Sequence, residues 1–317
     1  MFGPRNLYSE TGPPLAQPRR VGQIAVMASL PSLFDRRLHR SRRQRWQNNT
    51  PQFLNAIVVA ELADRMAIIN RPLRKMLAHG AAAIRFREAA QPLRPESSII
   101  ASDVIARPGL DLVFDDESIP IAAEGLEAFI CLLGWEMAND VPGVLAQIRR
   151  ALKPDGVCLA AVLGGETLHE LREAWLLAEE AETGGATPRV APFIHIGQWG
   201  QLLQRAGFAL PVVDADRRTV LYRDMAALMN DLRALGLANS MLGRSRRPLT
   251  RRLLMSLARA YADRFSDPEG RLRATFEIIY LTGWAPHESQ QKPLRPGSAT
   301  VRLADALGVE EKKLKPG

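Results

Sequence analysis

Residue types that often carry catalysis are scarce in this sequence. Its 317 residues include two cysteines and five histidines, and 6% of the side chains are aromatic. Cys131 and Cys158 each lie inside an apolar segment, which indicates buried free thiols and argues against a disulfide or a metal site. The sequence shows no Ser/His/Asp order, no paired-carboxylate motif and no metal-ligand spacing, so we expect no bound metal.

Long apolar runs are also missing. No run approaches the roughly 18 to 20 residues that a membrane-spanning helix requires, and the first residues lack the charged, apolar and small-residue order of a signal peptide. The sparse cysteines fit a reducing compartment. We therefore expect an intracellular, cytoplasmic protein, and peripheral contact with an anionic inner-membrane face stays open.

Arginine is abundant and clustered. Lysine and arginine number 42 against 34 acidic residues, while 46% of the chain is hydrophobic, which is enough for a globular core. Such clusters bind nucleic acid, anionic membranes or acidic proteins, or are merely solvated. No aromatic residues alternate with them, so we expect no nucleic acid partner. The clusters are Arg36, Arg37, Arg40, Arg42, Arg43 and Arg45, and Arg244, Arg246, Arg247, Arg251 and Arg252.

The middle of the chain alternates between strand and helix patterns. Short apolar runs at 99–103, 128–133 and 157–163 predict buried strands, and apolar residues spaced by four, three and four predict a helix over 141–152. The helix ends at Lys153-Pro154-Asp155-Gly156, a combination typical of a helix stop. This order predicts an α/β domain with a mostly parallel sheet.

The rest of the chain divides by pattern. Residues 224–265 show helical periodicity, and 275–284 return to a strand pattern. We predict a disordered lead-in at 1–30, an α/β core at 31–223, a helical insertion at 224–274, a final strand and strap at 275–299, and a tail at 300–317.

Five stretches carry a resemblance to known families. They are Leu33 to Arg36, Arg149 to Gly156, Leu163 to Arg172, Asp231 to Gly236 with Asn239, and Ile278 to Ala299. The central stretches resemble both the malonyl-carrier-protein methyltransferase of biotin synthesis and a methyltransferase-like assembly factor family of respiratory complex I. The first and last stretches are similar to the assembly factor family in particular.

The resemblance implies a Rossmann-like class I S-adenosylmethionine-dependent methyltransferase fold. Its sheet has seven mostly parallel strands, the last one running antiparallel, with the helical insertion before it. S-adenosyl-L-methionine is the implied cofactor. The implied partner is a protein, such as a complex I subunit, and the mitochondrial member understood best is associated with hydroxylating an arginine.

The glycine-rich turn that such a cofactor needs is degenerate here. Backbone amides must approach the ligand closely after the first strand, so the turn is normally rich in glycine. The stretch expected to hold it, 73–84, contains one glycine, Gly80, after His79, and Arg74 and Lys75 make the first strand a poor one.

Other expected cofactor contacts are present. By resemblance, Asp103 at the end of the second strand would accept bonds from the ribose, Asp115 would face the adenine, and Trp135 would line the pocket after the fourth strand. Each also has a structural interpretation as a turn former or part of a capping loop. The predicted cofactor-binding set is His79, Gly80, Asp103, Asp115 and Trp135.

The closing segment GWAPHESQQKPLRPGSA, Gly283 to Ala299, is unusually polar for a stretch that follows a buried strand. We expect it to close over the acceptor side of the cleft, with His287 as a candidate acid or base. The alternatives are a structural histidine and a strap that shields the sheet edge. The predicted substrate-binding residues are Arg172, Asn239, Trp284, Gln290, Lys292 and Arg295.

Three functions remain open from the sequence. The first is an assembly factor of the methyltransferase fold that modifies or chaperones a protein subunit of complex I. The second is a cofactor-free pseudo-methyltransferase that acts by binding. The third is a carboxyl methyltransferase for a carrier protein or small molecule. Methyl transfer itself needs little beyond alignment in a dry site, so missing acid and base residues do not exclude it.

Overall fold

The computed structural model describes residues 32–46, 52–291 and residue 308. The predicted lead-in and almost all of the predicted tail lie outside these residues. None of the described helices combines the length and the apolar character needed to cross a bilayer.

One seven-stranded sheet organises the described chain, in the order β3-β2-β1-β4-β5-β7-β6. This is the predicted fold class. The strands are β1 Lys75–Gly80, β2 Ser98–Asp103, β3 Leu112–Val113, β4 Leu126–Leu132, β5 Leu152–Leu163, β6 Ala209–Tyr222 and β7 Leu272–Trp284. The helices are α1 Arg36–Trp46, α2 Gln52–Ala67, α3 Ala83–Ala90, α4 Val141–Ala151, α5 His169–Thr183, α6 Ile196–Arg205, α7 Met225–Ala234 and α8 Arg251–Phe265.

The parallel half of the sheet is covered on both faces. β1 pairs in parallel with β2 and β4, and β4 pairs in parallel with β5. Met76 to Gly80 of β1 are buried, while Lys75 at its start is exposed, which explains how a strand with a charged first residue enters the core. Near-continuous burial is typical of parallel strands between helical layers.

The last strand, β7, runs antiparallel to both of its neighbours in the sheet. β7 pairs with β5 on one side and with the long β6 on the other. The resemblance implied the antiparallel last strand, which begins three residues earlier than its predicted start at Thr275. The insertion contains α7 and α8, and Asp224 and Thr250 cap their first turns by accepting bonds from backbone amides.

The arginine-rich helix α1 is held between the sheet and the insertion. Just before it, Phe34 forms an antiparallel bridge with Met241, and the amide of Asp35 donates to the carbonyl of Ser240 at 2.8 Å. His39 of α1 is buried, and burial together with the charges of Arg43 and Arg36 lowers its pKa to about 3. His39 therefore packs as a neutral ring on the buried face of α1.

Candidate functional site

The site lies where β1 and β4 are neighbours in the sheet. The chain turns from β1 towards β2 on one side and reaches β4 on the other, which makes this the topological switch point. In open α/β sheets, ligands bind outside the carboxyl ends of the strands at such a point. Here β1 ends at Gly80 and β4 at Leu132, while β2 ends beside them at Asp103.

Gly80 serves strand packing. Its φ is +121°, and a Cβ atom there would lie 2.3 Å from the carbonyl oxygen of Leu132. Its own carbonyl and that of Ala81 accept hydrogen bonds from Arg107 Nη2, at 3.1 and 2.6 Å. The close approach of β4 is therefore sufficient reason for a glycine at this position.

Asp103 is fully buried and its carboxylate is saturated with donors. Arg43 donates Nη1 to Oδ1 at 2.9 Å and Nη2 to Oδ2 at 3.0 Å, which is a bidentate pair. Arg107 Nη2 donates to Oδ2 at 2.8 Å, and the amide of Val104 donates to Oδ1 at 2.7 Å. The predicted ribose acceptor is thus bonded to the protein's own guanidinium groups.

The insertion holds Arg43 in this position. Arg43 is about 10% exposed. Gly236, which follows α7 and has a φ of +78°, lies so close that a Cβ atom there would be 2.9 Å from Arg43 Cγ. The side chain of Arg43 is therefore confined between the edge of the sheet and the insertion.

Asp115 is bonded in the same way. Arg36 Nη2 donates to Asp115 Oδ1 at 2.7 Å and to Asp116 Oδ2 at 2.6 Å, and Arg36 Nη1 donates to the carbonyl of Met137 at 2.9 Å. Arg40 also pairs with Asp115. The carboxylate expected to face the adenine instead faces α1.

His79 lies in a buried chain of polar groups beneath these pairs. Its Nε2 is 2.8 Å from Asp116 Oδ1 and its Nδ1 is 2.9 Å from Ser102 Oγ, and its ring stacks on Phe114 at 4.4 Å. Burial acts to raise the pKa of Asp116, but the hydrogen bonds and charges of His79 and Arg36 outweigh it and lower this pKa to about 2. Asp116 is therefore ionised at neutral pH.

These residues do not fit S-adenosylmethionine as they are arranged. The ribose acceptor is bonded to two arginines, the adenine-side acid is bonded to two more, and the turn after β1 has a single glycine that β4 approaches. Arginine side chains stand where a cofactor of this fold would meet the carboxylates. Among the described residues, no group of three or more His, Cys, Asp or Glu side chains is placed to hold a metal ion.

An aromatic cavity of about 380 Å³ lies at the carboxyl ends of β4 and β5. Trp135, in the loop after β4, and Trp199 of α6 face each other with ring centroids 6.1 Å apart. Glu136 also lines the cavity, and its Oε1 accepts from the amide of Leu163 at 3.2 Å. Burial raises the pKa of Glu136 to about 7, so this carboxyl changes charge near neutral pH.

Comparison with known proteins gives sequence relatives over almost the whole chain. The chain is 32% identical to the arginine-hydroxylase NDUFAF5 of Rattus norvegicus, over 96% of this chain and 95% of that protein. It is 34% identical to the Homo sapiens protein of that name, over 90% and 86% of the two chains. The chain belongs to the NDUFAF5 family.

Beyond the NDUFAF5 relatives, other similarities concern part of the chain or its fold alone. A malonyl-[acyl-carrier protein] O-methyltransferase of Laribacter hongkongensis is 37% identical over 60% of this chain and 61% of that protein. The solved structure of YcgJ from Bacillus subtilis matches with a TM-score of 0.50 at 13% identity, over 73% of this chain and 99% of that one, which shows a shared fold. No family model matches the chain.

The described part of the closing segment of this NDUFAF5-family chain, 283–291, lies at the other edge of the sheet. Because β7 is antiparallel, Trp284 at its end pairs with Val157 near the start of β5, away from the switch point. Arg71 stacks on Trp284 at 5.5 Å, and Gln290 Nε2 donates to Asp155 Oδ1 at 2.9 Å. The expectation that this segment closes over the acceptor side is corrected for its described part.

The remaining predicted substrate residues are scattered. His287 is exposed, and its Nδ1 lies 2.8 Å from Ser289 Oγ at the same opposite edge. Arg172 of α5 lines a shallow cavity beside the insertion, and Asn239 lines a second, arginine-rich cavity. Lys292 and Arg295 lie outside the described residues. The members of this predicted set that the structure describes therefore do not form a common substrate site.

Sequence reasoning missed the arginine partners of the acids. Arg36, Arg40 and Arg43 are spaced by four and three residues, which puts them on one helix face. Arg107 follows Asp103 by four residues. This spacing was a usable signal, but the distance in sequence between α1 and Asp103 gave no indication that they meet. Glu136 carried no signal at all.

Proposed function

We propose that the protein supports assembly of respiratory complex I by binding a protein subunit, and that it does so without S-adenosylmethionine. The observation that carries the proposal is the buried Asp103 carboxylate, which accepts bonds from both Arg43 and Arg107. Membership of the NDUFAF5 family supports the link to complex I assembly.

The cost of opening this site supports the proposal. A cofactor that hydrogen-bonds Asp103 must first displace Arg43, whose side chain is about 10% exposed. Breaking a buried pair by removing one partner costs about 3 to 5 kcal/mol. At about 1.4 kcal/mol per tenfold, this weakens cofactor binding by about two to four powers of ten. A ligand that binds related sites at micromolar concentration would then fail to bind here at cellular levels.

The proposal is tested in cells that lack the protein. Complex I is measured by native gel and by NADH-dependent quinone reduction, with and without the wild-type chain. In parallel, extracts of these cells are incubated with the purified protein and S-adenosylmethionine carrying a labelled methyl group. We expect the wild-type chain to restore complex I, and no protein to gain label above the level of an extract to which the chain was not added.

Two results would overturn the proposal. Label transfer to a subunit, reduced by Asp103→Ala in protein that still folds, would make the chain a methyltransferase. Complex I that stays at the same level with and without the chain would remove the assembly function. A chain carrying Arg205→Ala, a change on the exposed face of α6, is the matched control.

A second candidate function rests on the aromatic cavity. Relatives in the family carry the name arginine-hydroxylase. A guanidinium group is bound well by aromatic faces and by a carboxylate, and the cavity offers Trp135, Trp199 and Glu136. Holding an arginine side chain of the protein partner in this cavity would position it at the carboxyl edge of the sheet.

This second function predicts a pH dependence. Because the pKa of Glu136 is about 7, its carboxylate form grows between pH 6 and pH 8. Binding of an arginine-containing peptide should strengthen over this range by roughly tenfold. The Glu136→Gln variant should show no such change. Equal binding of a citrulline peptide, which is uncharged, would contradict the idea.

A further inference from the structure

A second cavity, of about 570 Å³, lies between α1, α5 and the insertion. Arginine side chains surround it, and we name it the basic cavity. The arginines that line it are Arg42, Arg45, Arg189, Arg233, Arg244, Arg246 and Arg247. No acidic side chain is among the described residues that line it.

Two separate arginine clusters of the sequence meet at this cavity. Arg42 and Arg45 come from α1, and Arg244, Arg246 and Arg247 come from the connection between α7 and α8. The bridge between the chain before α1 and the insertion brings the clusters together. The convergence is a property of the fold, since about 200 residues separate the clusters in sequence.

The charge of these arginines is poorly compensated within the described part of the chain. Arg45, Arg246 and Arg247 form no ion pair with any described residue, and Arg244 lies 3.8 Å from Asp35. Arg189 is paired more closely than Arg244, since its Nε donates to Glu179 Oε1 at 2.7 Å.

Like charges crowd one another here. Burial lowers the pKa of Arg42, and the charges of Arg244 and Arg45 lower it further, although the group stays protonated. Like charges brought together cost free energy unless an anion joins them. The arrangement therefore favours an anionic ligand.

The floor of the cavity is apolar. Leu168, Leu171 and Leu232 are buried there, and Trp175 is buried beneath Arg189, whose guanidinium carbon lies 4.8 Å from the ring centroid. A ligand that carries only carboxylates would leave these apolar side chains uncovered. A ligand with an apolar side chain next to its carboxylates would bury the apolar surface of the floor.

We propose that the basic cavity binds an acidic peptide segment of the protein partner, with its carboxylates on the arginines and an apolar side chain on the floor. This rests on the proposed function, in which the chain acts by binding a protein subunit. Arginine suits the task, because its planar fork pairs with carboxylates in a bidentate way.

The shape of the site favours a peptide over a lipid surface. Arg42, Arg189 and Arg244 are half-buried on the walls of a concave cavity, so a flat layer of headgroups does not reach them. A peptide side chain enters such a cavity, as in recognition of acidic motifs by arginine clusters.

The test measures fluorescence anisotropy of a short labelled peptide of alternating glutamate and leucine. Wild-type protein is compared with a variant carrying Arg45→Ala, Arg246→Ala and Arg247→Ala, and with a control variant carrying Arg74→Ala, Arg150→Ala and Arg205→Ala, three exposed arginines outside the cavity lining. Losing three exposed charge pairs with the peptide should weaken binding roughly tenfold. The control variant should leave binding within about twofold. Circular dichroism and melting temperature check that each variant folds.

Changing the peptide tests the floor. Serine in place of leucine should weaken binding, because the apolar contact is lost, and lysine in place of glutamate should abolish it. Equal loss with the control variant, which removes the same number of charges, would show attraction to net charge alone and overturn the proposal. Absence of peptide binding would overturn it too. The proposal would also be overturned if the peptide bound neither protein while vesicles of phosphatidylglycerol bound the wild type but not the triple variant.

The two proposals fail in distinguishable ways. Methyl transfer from S-adenosylmethionine would overturn the proposed function whatever the peptide does. Failure of the peptide alone, with complex I still restored and no label transferred, would overturn the basic cavity proposal and leave the proposed function standing.

Discussion

Two sets of arginines on the same helix have opposite surroundings. Arg36 and Arg43 face the carboxyl edge of the sheet, where the buried acids Asp103 and Asp116 neutralise them. Arg42 and Arg45, about 100° and 160° around the helix from Arg43, face a cavity whose described lining has no acid. A cluster of arginines in sequence therefore does not have one function, because the neighbouring elements decide the role of each side chain.

This difference separates a structural set from a binding set. The first set closes the edge where the fold would hold a cofactor, and its charge is satisfied within the chain. The second set is held ready by the same helix with its charge still available. Perturbing each set in turn should therefore give opposite results for stability and for binding.

The largest effect is expected from Asp103→Ala. The substitution leaves the guanidinium groups of Arg43 and Arg107 without their buried partner. We expect a loss of about 3 to 5 kcal/mol in the free energy of unfolding, measured with urea. Asp263→Ala, which breaks an exposed pair with Arg259, is the control and should cost less than about 1 kcal/mol. Similar losses for both would erase the distinction between the two sets.

The second largest effect is expected from acid, which should weaken the ion pairs of the structural set. The pKa of Asp116 is about 2 in the folded chain and 3.8 in the unfolded chain, so its contribution is present above pH 3.8 and is lost as the pH falls towards 2. At about 1.4 kcal/mol per unit, this contribution is about 2 kcal/mol. In urea titrations at a series of pH values, Asp116→Asn should lose less stability than the wild type over this window. Parallel curves for the two proteins would contradict the assignment.

A smaller effect is expected from Gly236→Ala. The left-handed backbone costs about 1 kcal/mol for alanine, and the new Cβ atom presses on Arg43. Gly270→Ala is a matched control, since Gly270 has a φ of +79° against +78° and nothing within 4 Å of the added atom. The excess destabilisation of Gly236→Ala over Gly270→Ala, measured by urea unfolding, reports the contact with Arg43. No excess would mean that the insertion does not hold this side chain.

The smallest effect on stability is expected from the basic cavity. Arg246→Ala and Arg247→Ala each remove an exposed arginine with no ion pair in the described chain, so we expect changes within about 0.5 kcal/mol. Because like charges repel, any change in the free energy of unfolding should be towards higher stability. Added salt should reduce the difference in melting temperature between variant and wild type. Thermal unfolding at low and high salt checks this. A loss above about 1 kcal/mol would place these arginines in the structural set.

Much of the fold could be predicted from local patterns. The strand that ends at Asp103 and the helix that starts at Val141 match their predicted bounds to within one residue, because each is a run of apolar residues with a clear stop. The strand that ends at Leu163 begins at Leu152 and not at the predicted 157, so it includes the stretch expected to be a helix stop. The insertion was also found, since its helical spacing contrasts with the strand that follows.

The site was harder to predict because its partners are distant in sequence. Asp103 was correctly placed at the end of a strand, but nothing local to it indicates that Arg43, 60 residues away, reaches it. The position of Trp284 could have been predicted, since an antiparallel last strand must end at the edge opposite the switch point. Its polar sequence suggested a binding loop, and strand direction overrules that interpretation.

The most direct test of the account is calorimetric titration of the wild-type chain with S-adenosylmethionine and S-adenosylhomocysteine. Because Arg43 and Arg107 hold the Asp103 carboxylate, we predict a dissociation constant no tighter than about 0.1 mM, and so no heat of binding and no thermal shift at micromolar ligand. Micromolar binding that Asp103→Ala abolishes in folded protein would contradict the account, since it would show that the arginines yield the carboxylate to the cofactor.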